Sequence, residues 1–201
     1  MCTPEQYLPI AGLTSADIEA SSSPICITAT SGTSTGFPNA KVFVYRSEPE
    51  YWERASRLPN KYRWLTSCLE PNDIQAIQDL RKQSRLVLTA DESEILPGLT
   101  AHLTLGHTRG GQALRVVSDD NVYVLANSTL FTQRNIARMV PIGFGHNYEE
   151  MLFSFDKLLL LAGGEPIRII PSHDSHWSEE FYSARMIEGS FTGYRYVTLE
   201  I

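Results

Sequence analysis

Residues 99–117 read LTAHLTLGHTRGGQALRVV, two alternating apolar stretches separated by a small polar loop. Period-two alternation from Leu99 to Leu105, and again from Gln112 to Val117, predicts two strands that each turn one face toward a core. Gly106, Gly110 and Gly111 punctuate the connection, so His107, Thr108 and Arg109 are presented at a strand end. Moving outward, Asn121 to Ala126 is a third apolar strand, entered through Asp119-Asp120-Asn121 and running out at Asn127-Ser128. Ile167 to Ile170 predicts a fourth, which ends in Pro171-Ser172-His173-Asp174. Three apolar strands therefore deliver polar loops in succession.

The rest of the chain alternates helix and strand. Met151, Leu152, Phe155, Leu158 and Leu159 form the clearest helical stripe, stopped by Gly163-Gly164. Near the start, Thr14 followed three residues later by Asp17 resembles a capping box, with Leu13 and Ile18 as its staple, and Ser21-Ser22-Ser23-Pro24 ends that short helix. Ile25 to Thr28 reads as a buried strand opening into the hydroxyl-rich loop TATSGTSTG, residues 28–36. Lys41 to Arg46 alternates as a strand, and Glu48 to Arg57 carries a helix with Tyr51, Trp52 and Ala55 on one face. Asn60 to Cys68 has no clear period. Pro71-Asn72-Asp73 caps a helix through Ile74, Ile77 and Leu80, followed by a strand at Arg85 to Thr89. The tail predicts a helix near Glu179 to Ile187 and an edge strand at Tyr194 to Leu199. Strands and helices mixed in this way indicate a layered α/β protein, and with no repeat or linker the reading is one domain over residues 1–201.

Composition narrows the function classes. The chain has 201 residues and a formal net charge of −6, and no Lys/Arg cluster offers a basic patch, which argues against nucleic acid as a partner. Three cysteines, Cys2, Cys26 and Cys68, are odd in number and lack C-x-x-C spacing, so they read as reduced thiols of a cytoplasmic protein. The longest apolar run, Leu158 to Ala162, is far short of a membrane span, and no secretory signal opens the chain. Asn127-Ser128-Thr129 matches a glycosylation acceptor by chance in such a setting.

The loops, taken together, resemble the metallo-β-lactamase superfamily, especially its lactonase-like branch, whose members hydrolyse N-acyl homoserine lactones. That family carries G-H-T-x-G, then an apolar strand ending in Gly-Asp, then P-x-H-D. Here Gly106-His107-Thr108-Arg109-Gly110, Asn127-Ser128 and Pro171-Ser172-His173-Asp174 fall in that order. Upstream, Leu13-Thr14-Ser15-Ala16-Asp17-Ile18, the loop 28–36 and Phe37-Pro38-Asn39-Ala40 fall where the family places L-T/S-x-x-D-I, T-H-x-H-x-D-H-x-G and F-P-N-A. The resemblance covers roughly residues 8–180 and implies an αβ/βα sandwich, truncated at the N-terminus.

Carried over residue by residue, the resemblance implies a degenerate metal site. The first loop's three histidines and one aspartate correspond to Ala29, Ser31, Ser34 and Thr33; the bridging aspartate corresponds to Ser128; and a substrate-holding tyrosine corresponds to Phe131. His107 and His173 are kept. Two zinc ions that activate a bridging water need about four ligands each, and two histidines without a carboxylate do not supply them. The expectation is no dinuclear site and no cofactor; a mononuclear site using His107, His173 and Asp174, His146 or His176 is the alternative. Relatives carry a β-rich segment ahead of the first metal loop, whereas 28 residues precede Ala29 here, so one sheet is expected to present an open edge covered in a homodimer.

Three readings of the pocket remain open. In the first, a metal-independent enzyme acts on a small carbonyl-bearing molecule by acyl transfer or hydrolysis, isomerisation or cyclisation, with His107, His173, Ser31, Ser34, Ser128 and Asp174 as candidate catalytic residues. In the second, a non-catalytic binding or regulatory pseudoenzyme holds a small-molecule ligand against Trp52, Tyr62, Trp64, Phe131 and Phe144. In the third, the chain is a decayed relative with little function. His102 reads as solvent-facing or locally bonded, His146 as part of a flexible glycine loop, and the pair Glu179-Glu180 as a solvated helix face. Arg109 stands where the family commonly has proline, exposed by default and able to meet an anionic group.

Overall fold

The computed structural model describes residues 8–22, 36–67, 69–70, 72–118, 121–174, 187–191 and 194–198. Two facing sheets carry helices on their outer sides. The first sheet is parallel, in the order β1 (Ala20–Ser22), β2 (Lys41–Tyr45), β3 (Leu86–Thr89). Alternation decides its two faces: Val42 and Val44 are fully buried against Trp52 of α1 (Ser47–Ala55) and Ile77 and Leu80 of α2 (Asp73–Lys82). The side chains between them, Phe43 and Tyr45, lie on the opposite face.

The second sheet runs β4 (Glu92–Leu96), β5 (Leu99–Leu103), β6 (Gln112–Ser118), β7 (Asn121–Asn127), β8 (Ile169–Pro171). Neighbours are antiparallel through β7, and β7 pairs with β8 in parallel. The parallel pair requires a crossover, which is supplied by the short α3 (Gln133–Ala137) and the long α4 (Tyr148–Leu161). Met151, Phe155 and Leu158 of α4 bury completely against Ala113, Val124, Ala126 and Ile169, the larger of the two cores. β9 (Ile187–Phe191) and β10 (Tyr194–Thr198) form an antiparallel pair.

Gln112 bridges the two sheets. It is fully buried at the start of β6, accepts a hydrogen bond from Thr89 Oγ1 at 2.6 Å and donates to the Phe43 carbonyl at 3.4 Å. Its own carbonyl accepts from Asn127 Nδ2 at 2.9 Å. A buried amide is tolerable only with such partners, and these partners register β2 and β3 against β6 and β7.

Several local expectations need revision. Ser21 and Ser22, read as a helix stop, belong to β1: the parallel ladder is made by backbone groups, and Lys41 N–H donates to Glu19 O at 2.9 Å. The helix ahead of it is a single 3-10 turn, Ser15–Asp17, whose Asp17 carboxylate accepts from Thr14 N–H and Oγ1. β4 had no sequence signal because no residue in it is fully buried, so its alternation is polar on both faces. Asn60–Thr66, aperiodic in sequence, is a 3-10 helix. Ile187, expected to close a helix, opens β9. His102 is 5% exposed rather than solvent-facing, because β5 runs between β4 and β6. The strand expected at 25–28 and the helix expected from Glu179 lie outside the described residues.

Candidate functional site

The loop 104–111 between β5 and β6 is clamped from two sides. Thr104 N–H donates to Gly111 O at 2.7 Å and closes its base, while Thr104 Oγ1 and Thr129 Oγ1 share a buried hydrogen bond of 2.7 Å. From one side comes the start of α4. Asn147 caps that helix by accepting from Glu149 and Glu150 N–H, and the backbone N–H groups of His146 and Asn147 both donate to Gly106 O. One turn on, Ser154 Oγ donates to Leu105 O and Lys157 Nζ to Leu103 O, each at 2.8 Å, so helical spacing aligns one face of α4 along the strand end. Contacts here are backbone-close: a Cβ on Gly145 would stand 3.0 Å from Gly106 O. From the other side comes α1. A Cβ on Gly110 would lie 2.6 Å from Glu48 Cβ, and Ser47 Oγ donates to the Arg109 carbonyl.

The other two loops are joined to each other. Asn127, with φ of 50°, turns the chain out of β7 and leads through Ser128 to Leu130 and Phe131. Ser172 N–H then donates to Leu130 O at 3.0 Å and His173 N–H to Phe131 O at 2.9 Å. The third loop is thereby carried beside the second as an extension of the β7–β8 pairing.

These loops enclose a pocket of about 700 Å³ lined by His107, His173, Ser128, Thr108, Arg109, Phe131, Phe144, Gly145 and His146, with Tyr51, Trp52, Trp64, Leu65 and Ser67 opposite. Phe131 packs edge-on against both imidazoles, its centroid 4.4 Å from His173 and 6.0 Å from His107. Phe144 packs on His107 at 5.1 Å. His107 Nδ1 meets the Phe144 carbonyl at 3.4 Å; a carbonyl only accepts, so Nδ1 carries the hydrogen and Nε2 keeps its lone pair. Burial holds the His107 pKa below the ordinary histidine range, opposed by that carbonyl. His146 is also held low, by burial and then by Arg109.

Of the residues singled out from sequence, His107, His173 and Ser128 all line this pocket, as do Trp52, Trp64, Phe131 and Phe144. Tyr62 and Asp174 are not on the lining. Asp174 Oδ2 accepts from Gln133 N–H at 2.8 Å, at the first turn of α3. Ser31 and Ser34 lie outside the described residues. Sequence reasoning missed Thr108 and Tyr51. Thr108 has 6% exposure and a hydroxyl without a partner among the described residues, and its place inside G-H-T was the available signal. Among the described residues, no three His, Cys, Asp or Glu side chains converge as a metal-binding group.

Three histidines, His102, His107 and His146, are held below the ordinary value of 6.5, in each case chiefly by burial. Folding therefore favours their neutral forms. As pH falls below about 6.5 the unfolded chain takes up protons that the folded chain resists, so stability is full above that value and declines beneath it. Urea unfolding midpoints are expected to be flat from about pH 7 to 8 and to fall steadily from about pH 6.5 to 5. A midpoint that rises toward acid pH would contradict this.

No protein-family model and no curated protein matches the sequence. Solved structures do. The fold is similar to that of an N-acyl homoserine lactone hydrolase with N-hexanoyl-L-homoserine at its catalytic metal centre, with TM-score 0.64, 20% identity, and coverage of 96% of this chain and 67% of the other. It is similar to a hydrolase of the β-lactamase superfamily, with TM-score 0.67, 17% identity, and coverage of 98% and 69%. It is also similar to a dizinc quorum-quenching lactonase, with TM-score 0.63, 14% identity, and coverage of 98% and 69%. The chain spans about two thirds of the length of these proteins. Two facing sheets, outer helices and three strand-end loops around one pocket, superposing over nearly the whole chain, give this protein the metallo-β-lactamase fold found in N-acyl homoserine lactonases.

Proposed function

We propose that this protein is a metal-independent enzyme acting on a small carbonyl-bearing organic molecule in the pocket, with His107 as general acid/base. The supporting observation is the state of His107: a half-buried, neutral-favouring imidazole, tied down through Nδ1 to the Phe144 carbonyl, with Nε2 left as an acceptor. That is the form able to take a proton from a hydroxyl or water as it attacks a carbonyl, and to return it to the leaving group. Ser128, which also lines the pocket, is the hydroxyl that such a base would activate. His173, packed on Phe131, is the second imidazole of the reading. Ser31 and Ser34 enter it through their sequence positions, and Asp174 acts on the α3 backbone. The acylated product named for the similar lactonases supports the substrate class.

Zinc does not fit the residues that face the pocket. Among the described residues no carboxylate lines it to balance a dication, and Phe131 packs against both imidazoles. The loop positions that would complete the set are Ala29, Ser31, Thr33 and Ser34.

The test is turnover of a panel of N-acyl homoserine lactones and 4-nitrophenyl acyl esters before and after dialysis against a chelator, with metal content followed by elemental analysis. Turnover is expected to survive in metal-free protein. Loss on chelation with recovery on zinc addition would overturn the proposal.

A further inference from the structure

The pocket separates charge from the rest of the molecule. The chain holds 23 Asp and Glu against 17 Lys and Arg, yet among the described residues the pocket lining contains three histidines and one arginine and no acid. The nearest buried acid, Glu48, is turned away: it is fully buried in α1, with Oε1 accepting from Trp52 Nε1–H at 2.9 Å, and is not on the lining.

Arg109 is built into position. Its carbonyl is held by Ser47 Oγ, and its guanidinium carbon stands 4.9 Å from the centroid of the Tyr51 ring. The same ring lies 6.1 Å from His146. Arg109 forms no ion pair with any described acid, while stacking on Tyr51 limits its rotamers before a ligand arrives. Beside it in the chain, Thr108 also lines the pocket, its hydroxyl oxygen buried beneath the surface of the loop.

The pocket also offers uncovered apolar surface. Trp64 is 83% exposed and Phe144 56% exposed, and both line the cavity with Phe131. Large aromatics left open at a concave site gain from covering by an apolar body.

We infer that the ligand of this pocket is an amphiphilic organic anion, a carboxylate on an acyl or aryl body, whose acid group meets Arg109 while its body lies on Trp64, Phe144 and Phe131. The inference rests on the reading that this pocket is the substrate site, and it adds the sign of the substrate's charge. A bidentate guanidinium–carboxylate contact at a cavity with no acid among its described lining residues selects the anion over a neutral isostere of the same size.

The test is calorimetric titration of the full chain at pH 7.5 with N-decanoylglycine and with N-decanoylglycinamide, which differ only in the acid group. The acid is expected to bind at least about tenfold more tightly, and Arg109→Gln to remove that preference while leaving amide binding unchanged. Trp64→Ala is expected to weaken both. Circular dichroism melting confirms that each variant is folded, and Arg109→Lys restores part of the preference if charge is the cause. Equal binding of acid and amide, or a preference unchanged in Arg109→Gln, overturns the inference and leaves the pocket assignment standing. Binding of neither compound overturns both.

Discussion

Gly106→Ala is expected to be the most destabilising single-methyl change in the described part of the protein. Gly106 has φ of 114°, where an L side chain is strained, and a Cβ there would stand 2.3 Å from Met151 N, 2.5 Å from Met151 Cα and 2.7 Å from Asn147 O. All three atoms are backbone, so no rotamer change relieves the clash; α4 has to move off the loop. Strain and overpacking together cost about 3 kcal/mol or more, a shift of roughly a hundredfold in the folding equilibrium. Gly163→Ala supplies the comparison. Its φ is 69° but nothing lies within 4 Å of the added carbon, so the cost is about 1–2 kcal/mol. Urea unfolding of both variants separates the clash from the backbone strain, and similar midpoints would show that α4 yields easily.

His107→Ala is expected to lower kcat by about 10² to 10⁴ with the fold intact. The ring contacts Phe131 and Phe144 and makes one hydrogen bond to a loop carbonyl, so its loss costs little stability beside a core deletion. His173, placed by a different loop and packed on the same Phe131, lacks the hydrogen bond from His107 Nδ1 to the Phe144 carbonyl and does not replace that ring. The pH profile carries a separate signature. A base whose pKa is depressed by burial keeps kcat/KM level down to a pH below the ordinary histidine value of 6.5 before activity falls, and the variant loses that limb. Unchanged kcat in the variant would leave the pocket as a binding module. Loss of folding would assign the ring a structural part.

What was legible in the sequence followed burial. β2, β7, α1, α2 and α4 each bury one face and announce it through period two or 3.6. β1, β4 and the helix at Asn60–Thr66 bury no residue fully and sent no such signal. The site was legible in part through motif order, which brought His107, His173 and Ser128 to one pocket. Asp174 adjoins His173 in sequence, but adjacency does not fix direction: its carboxylate is drawn to the exposed amide at the start of α3. Tyr51 could not be assigned to the pocket because its role depends on how α1 lies over the loop, a tertiary relation that periodicity does not encode.

The clamped loop also bears on how such a site can diverge. Gly106 against Met151, Gly110 against Glu48 and Gly111 against Thr104 O leave no room for a single added carbon at three places around His107, and Gly145 lies tight against Gly106 O. Arg109 sits among them with an exposed side chain over the Tyr51 ring. An added carbon is therefore resisted at these glycines, whereas a change of the exposed Arg109 side chain meets no such clash, so a new ligand preference can be acquired there without disturbing the imidazole two residues away.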